Sequence, residues 1–188
     1  MNVRKVTGAT AFLEKARPTQ VALGRPQRSD GAAIHGLIAA CKPLDLNSLY
    51  AYLLLAEHFG ETCVVARAGS RVVGFVSAYV PPARAHTAFV WQVAVAESMR
   101  GTGLASAMLR ELLARPALAR CRYLETTVSP SNTASRRLFQ ALARAQRAQH
   151  TEGLLFGEED FGGEHHECEM LIRIGPFQGE QPQGERAT

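Results

Sequence analysis

The feature that most constrains this chain is a glycine-containing turn between an apolar strand and an amphipathic helix. Arg100-Gly101-Thr102-Gly103 follows the β-rich residues 89–95 and leads into Leu104-Ala105, after which Met108 and Leu112 continue the helical spacing. Glycine lets the backbone approach a ligand closely, and the first N–H groups of a helix have no partner inside it. They also carry the positive end of the helix dipole, so the turn is predicted to bind an anion such as a pyrophosphate.

The rest of the chain alternates between strand-like and helix-like segments, and Gly69-Ser70 between two β-rich runs predicts a hairpin. This order predicts an α/β (α+β) fold, with a mixed, mostly antiparallel sheet flanked by helices. Helices are predicted over residues 32–40 after Asp30 as cap, from Asn47 or Ser48 to Gly60, over 104–113, and from Ser131 or Asn132 to Leu142. Later strands are predicted over residues 89–95, 123–128 and 166–174, with Phe89, Trp91, Val93 and Val95 on one face of the first.

Length and composition predict one domain. The chain has 188 residues, of which 46% are hydrophobic and 20% charged, as is typical of a globular protein. We expect the domain over residues 25–177, because residues 1–24 lack a sustained period and suggest a flexible extension. Residues 178–188 are rich in Gly, Gln and Glu and are expected to be a disordered tail. The chain contains no apolar run of membrane-spanning length, so no membrane partner is expected.

The charged residues and cysteines exclude several classes of function. The net charge of +4 comes from 21 basic residues, nearly all Arg, that are scattered along the chain, so no nucleic-acid partner is expected. The Arg excess fits genomic base composition, and a mild positive field suits a polyanionic small ligand. Cys41, Cys63, Cys121 and Cys168 lie far apart and are interpreted as small hydrophobic residues in a reducing, cytoplasmic compartment. No metal site is expected.

Two elements resemble the GNAT family of acetyltransferases. Residues 100–105 resemble its Gln/Arg-x-x-Gly-x-Gly/Ala signature, and about thirty residues later Asn132 opens a helix that resembles its second element. The resemblance implies an N-acetyltransferase with acetyl-CoA as co-substrate. Main-chain groups of Val93 and Val95 would hold the pantetheine arm, and the Val93 N–H would polarise the thioester carbonyl. The pyrophosphate would lie on Arg100, Gly101, Thr102, Gly103, Leu104 and Ala105, with Asn132 and Ser135 across the arm.

Three further segments resemble the L-2,4-diaminobutyrate acetyltransferases of ectoine biosynthesis, a group linked to osmoprotection. They are residues 43–50, 90–95 and 166–169. The resemblance implies a homodimer that acetylates the 4-amino group of diaminobutyrate, since ring closure to ectoine needs a free 2-amino group. Diaminobutyrate carries two ammonium groups and one carboxylate at neutral pH, and carboxylates and aromatic faces suit its ammonium groups. The implied substrate-binding residues are Asp45, Tyr50, Trp91 and His166, and the implied catalytic residues are Glu167, Glu169 and the Val93 N–H.

Several of these residues also allow a structural interpretation. Asp45 can cap the helix that begins near Asn47, Trp91 can be a core residue, and Tyr50 can be a half-buried packing residue. Glu167 and Glu169 share one face of the predicted last strand and can form a solvated face. Many GNAT enzymes place a tyrosine as acid on the helix after Asn132, where this chain has Phe139. The alternatives in function are acetylation of a polyamine, an amino sugar or a protein terminus, and a non-catalytic module that senses CoA.

Overall fold

The fold is one twisted seven-stranded sheet with two helices on each face. The computed structural model describes residues 20–162 and 166–177. The strand order across the sheet is β1-β2-β3-β4-β5-β7-β6. The predicted mixed α/β architecture is therefore confirmed. The strands are β1 Val21–Gly24, β2 Val64–Ala68, β3 Arg71–Tyr79, β4 Thr87–Val95, β5 Tyr123–Val128, β6 His150–Phe156 and β7 Glu169–Ile174.

All neighbouring strands of this sheet are antiparallel except β4 and β5, which are parallel. The predicted hairpin at Gly69-Ser70 is present between β2 and β3. The two parallel strands are joined by a crossover connection that contains α3. As a result, the glycine-containing turn that follows β4 lies at the carboxyl end of the parallel pair, where ligand sites of α/β sheets concentrate.

The helices are α1 Gly31–Ala39, α2 Leu49–His58, α3 Leu104–Leu113 and α4 Thr133–Ala145. Two of the predicted caps are confirmed: Ser48 accepts a hydrogen bond from the Ala51 N–H, and Asn132 accepts one from the Ser135 N–H. Asp30 precedes α1, but its side chain does not cap that helix. Its carboxylate instead accepts the Gln27 N–H and pairs with Arg67 of β2, which ties the start of the domain to the sheet.

Two separate hydrophobic clusters hold these layers together. On one face, α3 and α4 pack on the sheet through residues such as Met108, Leu109 and Phe139. On the other face, α1 and α2 pack through residues such as Ile34, Tyr52 and Phe75. Because α1 and α2 lie on one side of β4 and α3 and α4 on the other, the loops that lead into α2, α3 and α4 can converge on the end of β4.

A β-bulge in β4 changes which face its side chains meet. Ser77 of β3 pairs with Gln92 and Ala78 pairs with Val90, so Trp91 is an extra residue without a partner on β3. Val90 joins the same cluster as Val93 and Val95, whereas Phe89 packs on Tyr79. The prediction that Phe89 shares a face with Val93 and Val95 is therefore wrong, because the inserted residue shifts the alternation by one.

Three other boundaries differ from the sequence-based expectation. Residues 21–24 form edge strand β1 and pair with β2, although they were assigned to the N-terminal extension, whose residues 1–19 lie outside the described part. Strand β6 was missed, because Gly153 and an almost fully exposed run give it no two-residue alternation. Strand β7 begins at Glu169, so Glu167 precedes the strand and does not share a strand face with Glu169. Residues 178–188, expected to be a tail, lie outside the described residues.

Within residues 20–162 and 166–177, no helix combines the length and the apolar character needed to cross a bilayer.

Candidate active site

The site begins where β4 and β5 separate. The two strands pair from Thr87 with Tyr123 to Val90 with Thr126, and the ladder stops there. Beyond it, β5 continues to pair with β7, while residues 92–95 of β4 continue to pair with β3. The result is a wedge-shaped gap in the middle of the sheet, which leaves one side of the end of β4 without a neighbouring strand.

The main-chain groups of Val93 and Val95 point into this gap. The Ala96 N–H donates to the Val73 carbonyl of β3. Since successive residues of a strand direct their N–H and C=O groups to opposite sides, those of Val93 and Val95 point away from β3. The Val95 carbonyl is approached at 3.4 Å by both the Cys41 Sγ and the Arg100 Nε, so it faces side chains of the site and not a strand. These polar groups can bind an extended amide chain.

The next segment turns the backbone into the start of α3. Gly101 has φ +75° and Gly103, the N-cap of α3, has φ +83°. L-residues rarely adopt these values, and a Cβ at either position would meet open space. The first N–H groups of the ten-residue α3 have no partner inside the helix and carry its positive dipole end. Backbone donors and open space together form a cradle for phosphate oxygens.

A cavity of about 450 Å³ joins the gap and the cradle. Its walls contain nine of the ten residues predicted to bind the cofactor; Thr102 is the exception, and its hydroxyl donates to the Met99 carbonyl to hold the turn. Sequence reasoning did not assign the opposite wall to the cofactor; it comes from the segment after α1, and its Pro43 and Leu44 were noted only as part of the resembling segment 43–50. The predicted cavity residues are Val93, Val95, Arg100, Gly101, Gly103, Leu104, Ala105, Asn132 and Ser135, and the opposite wall consists of Cys41, Lys42, Pro43 and Leu44.

The four predicted acceptor residues, Asp45, Tyr50, Trp91 and His166, do not line that cavity. The His166 Nε2 lies 3.9 Å from an Asp45 carboxylate oxygen, which brings together the loop before α2 and the segment before β7. The His166 ring stacks on Phe161 with centroids 3.9 Å apart, which fixes the ring plane. The Asp45 side chain is 87% exposed, and Ser48 is the residue that caps α2. Asp45 therefore does not cap this helix, which the sequence alone had allowed.

The two glutamates of this region have different environments. Glu169, at the start of β7, is half-buried, and burial raises the pKa of its carboxyl; a hydrogen bond from Thr127 and the nearby His166 oppose that effect. Glu167 is exposed, and its two oxygens accept the Ser131 hydroxyl at 2.6 Å and the Ser131 N–H at 3.0 Å. These bonds lower the pKa of Glu167. A raised pKa suits a proton acceptor at neutral pH, so Glu169 is the better base of the two.

Tyr50 and Trp91 are both available to a ligand. Tyr50, in the first turn of α2, is 67% exposed, which contradicts a packing role, and Trp91 is 45% exposed on the bulge, which contradicts a core role. Among the described residues, no hydrogen bond or ion pair links either side chain to the Asp45–His166 pair. Both are close to Asp45 through the chain: Tyr50, in the first turn of α2, follows it by five residues, and Trp91 adjoins Gln92, whose side chain donates to the Asp45 carbonyl.

Other reactive groups belong to the framework. Glu125 of β5 is fully buried but forms ion pairs with Arg84 and Arg173, so its charge is compensated. Burial raises the pKa of the Cys63 thiol to about 11, which keeps it protonated at neutral pH. Phe139 of α4 is a core residue and offers no acid at the position where the family resemblance placed a tyrosine.

Comparisons with known proteins match this geometry. The sequence pattern of the Acetyltransferase (GNAT) family matches residues 32–143, which contain the gap and both sides of the cavity. The L-2,4-diaminobutyric acid acetyltransferase of Bordetella parapertussis is 56% identical over 153 residues, 81% of this chain and 82% of that protein. The chain belongs to the diaminobutyric acid acetyltransferases of the GNAT family.

Further members of this family agree over most of their length. The enzyme of the same name from Vibrio cholerae is 50% identical over 151 residues, 80% of this chain and 87% of that protein. The structure of diaminobutyrate acetyltransferase EctA from Paenibacillus lautus, in complex with L-2,4-diaminobutyric acid and coenzyme A, superposes with a TM-score of 0.83 at 46% identity. The superposition covers 85% of this chain and 97% of the P. lautus chain. As a GNAT acetyltransferase, the chain uses an acetyl-CoA co-substrate and a small-molecule acceptor.

Proposed function

We propose that the chain transfers the acetyl group of acetyl-CoA to the 4-amino group of L-2,4-diaminobutyrate, giving N4-acetyl-L-2,4-diaminobutyrate and CoA in ectoine biosynthesis. The observation that carries the proposal is the meeting of two half-sites at the end of β4. One is the backbone-lined cavity of about 450 Å³, and the other is the acidic cluster around Asp45 and Glu169. The P. lautus enzyme, whose structure contains both diaminobutyrate and CoA, supports this pairing.

The cavity fits acetyl-CoA by shape and by polarity. The main-chain groups of Val93 and Val95 that face away from β3 match the amides of a pantetheine arm, and the start of α3 matches a pyrophosphate. The Asn132 side-chain oxygen is used as the cap of α4, which leaves its amide N–H₂ for the arm. In this arrangement the Val93 N–H donates to the thioester carbonyl oxygen, where negative charge develops during transfer.

The acceptor side suits a diamine that carries two positive charges. Asp45 holds one ammonium group, and Glu169 takes a proton from the other, whose nitrogen then attacks the thioester carbon. The carbon–sulfur bond breaks as the carbon–nitrogen bond forms, and the CoA thiolate leaves. Phe139 stands where the family resemblance places a tyrosine acid, so the second proton that the attacking nitrogen loses reaches the thiolate through solvent. His166 stays oriented by Phe161, with its Nε2 3.9 Å from the Asp45 carboxylate.

The test is the release of CoA thiol from acetyl-CoA with a panel of amines: diaminobutyrate, ornithine, putrescine, glucosamine and an N-terminal peptide. Diaminobutyrate should give the highest kcat/KM, and NMR of the product should place the acetyl group on N4. A higher kcat/KM for another amine would reassign the substrate. Tight CoA binding without turnover of any amine would support the non-catalytic CoA-sensing module instead.

We further propose a cytoplasmic homodimer. Its interface is β6, which is an edge strand of the sheet that the described residues form and whose apolar Leu154, Leu155 and Phe156 are exposed, Leu154 by 62%. Edge strands with this character pair readily with a second chain. Light scattering should give twice the chain mass for the native protein. Leu154→Lys should shift it to the monomer, and an unchanged mass would contradict this interface.

A further inference from the structure

Gln92 is a buried polar residue that contacts the acceptor loop. Only 4% of it is exposed, and it lies between two residues of the site, the bulge residue Trp91 and the oxyanion-binding Val93. Its backbone N–H donates to the Ser77 Oγ at 3.1 Å, which anchors it to β3. Its side-chain Nε2 donates to the Asp45 carbonyl at 2.8 Å, which anchors the acceptor loop to it.

Tyr52 closes the connection from the other end of the same loop. Its ring is fully buried against Phe75, and its hydroxyl donates to the Gln92 Oε1 at 3.4 Å. The same hydroxyl accepts the Asn47 N–H at 3.2 Å. The backbone of the loop is therefore held at two points, the carbonyl of Asp45 and the N–H of Asn47. Both points are connected by hydrogen bonds to the side-chain amide of Gln92 on β4.

This arrangement couples the two halves of the reaction. The Val93 N–H fixes where the thioester carbonyl lies, and the residue directly before it fixes where the Asp45 loop lies. Removing one partner would leave a buried polar group without a hydrogen bond, so breaking these hydrogen bonds costs free energy. The exposed Asp45 carboxylate itself has no such anchor, since its described contact is the 3.9 Å approach of His166.

We propose that Gln92 and Tyr52 are positioning residues that determine which amino group of the acceptor is acetylated. This inference rests on the proposed function. The two amino groups of diaminobutyrate are separated by two methylene groups and a carboxylate-bearing carbon. The carboxylate beside the 2-amino group makes the two ends of the acceptor unequal, because the Asp45 and Glu169 carboxylates repel it. The position at which the loop holds Asp45 therefore determines which end binds there and which amino group reaches the thioester carbon. A loop that moves by about the length of one bond loses that discrimination.

The decisive variants are Tyr52→Phe, which removes only the hydroxyl, and Gln92→Met, which removes the amide at similar volume. Each leaves a buried group unpaired, so KM for diaminobutyrate should rise by about 5- to 150-fold. The product should contain N2-acetyl as well as N4-acetyl isomer, as measured by NMR. The Kd of CoA, measured by calorimetry, should stay within twofold, because neither side chain lines the cavity.

Ser77→Ala is the matched control, because it removes an equally buried hydroxyl that contacts Gln92 only through its backbone N–H. Its product should remain the N4 isomer alone. If Tyr52→Phe and Gln92→Met both keep the wild-type KM and N4 product, the positioning role is wrong while the proposed function stands. If the wild type does not acetylate diaminobutyrate, the proposed function fails first. If Gln92→Met does not fold, the milder Tyr52→Phe decides.

Discussion

The two sides of the gap between β4 and β5 are constructed differently. The cofactor side uses main-chain groups of one continuous segment, residues 93–106, supplemented by the start of α4. The acceptor side uses side chains from four separate places: the loop before α2, the first turn of α2, the bulge of β4 and the segment before β7. A site made of backbone depends on local conformation, whereas a site made of distant side chains depends on how loops are held. Substitutions should therefore act differently on the two sides.

The largest effect should come from the proposed base. Glu169→Gln should lower kcat with diaminobutyrate by about 10²- to 10⁴-fold, as is usual when a general base is removed. A base acts only when deprotonated, and burial raises the pKa of Glu169. The acid limb of kcat/KM in the wild type should therefore lie above the ordinary glutamate range, with activity lost as the pH falls through it. Glu169→Gln should lose this limb.

Glu167→Gln is the matched control on the same segment. Hydrogen bonds from Ser131 lower the pKa of Glu167, so its titration lies below the limb in question. This variant should keep the acid limb of the profile and most of kcat. The assignment of the base would be reversed if Glu167→Gln removed the limb and Glu169→Gln kept it.

On the cofactor side, the largest effect should come from Gly103→Glu. The new side chain would extend from the N-cap of α3 and place a negative charge beside the pyrophosphate. Like charges brought together cost several kcal/mol, so calorimetry should show CoA affinity lowered by at least about 100-fold. Gly69→Glu is the control, since Gly69 also has a positive φ and open space but lies in the hairpin between β2 and β3. Equal CoA affinity in the two variants would contradict the phosphate cradle.

A smaller effect, confined to the acceptor side, should follow from Asp45→Ala. Loss of a hydrogen bond to a charged group costs about 1.5–3 kcal/mol, so KM for diaminobutyrate should rise by about 10- to 150-fold. The Kd of CoA should not change, because Asp45 does not line the cavity. A parallel loss of amine and CoA affinity would show that Asp45 acts on the fold of the loop and not on the substrate.

The smallest effect separates Asp45 from the residue that does cap α2. Ser48→Ala removes the hydroxyl that accepts the Ala51 N–H, so the free energy of unfolding should fall by about 1 kcal/mol. Chemical denaturation measures this change. Asp45→Ala should leave the unfolding free energy within about half of that value, since its side chain is exposed and caps nothing. A larger loss in Asp45→Ala than in Ser48→Ala would revive the capping interpretation.

The same difference explains what the sequence could predict. The glycine turn is encoded locally, because Gly101 and Gly103 are needed for their positive φ values and the helix follows at once. The fold class was accordingly accessible from the sequence, and nine of the ten residues predicted to bind the cofactor line the cavity. The wall from Cys41 to Leu44 was not assigned to the cofactor, because these residues reach the end of β4 only once α1 has folded.

On the acceptor side, residue types could be predicted but not their arrangement. The pairing of Glu167 and Glu169 assumed a regular strand from His166, whereas β7 begins only at Glu169 and Glu167 turns toward Ser131. Gln92 and Tyr52 were missed because a buried amide and a buried phenol look like ordinary strand and helix residues. Their connection spans 40 positions and exists only after folding.

The one-residue bulge at Trp91 divides β4 into two parts in which the alternation of side chains between the two faces of the sheet is shifted by one residue. Before the bulge, alternate side chains pack on the faces of the sheet. After it, the shifted alternation directs the Val93 and Val95 side chains to the core while their backbone groups face the gap. Trp91 belongs to neither part. A substitution there can reshape the acceptor surface without disturbing the hydrophobic interior or the peptide groups of Val93. Substitution of Trp91 can therefore change which amine the acceptor side binds while the rest of β4 keeps its packing.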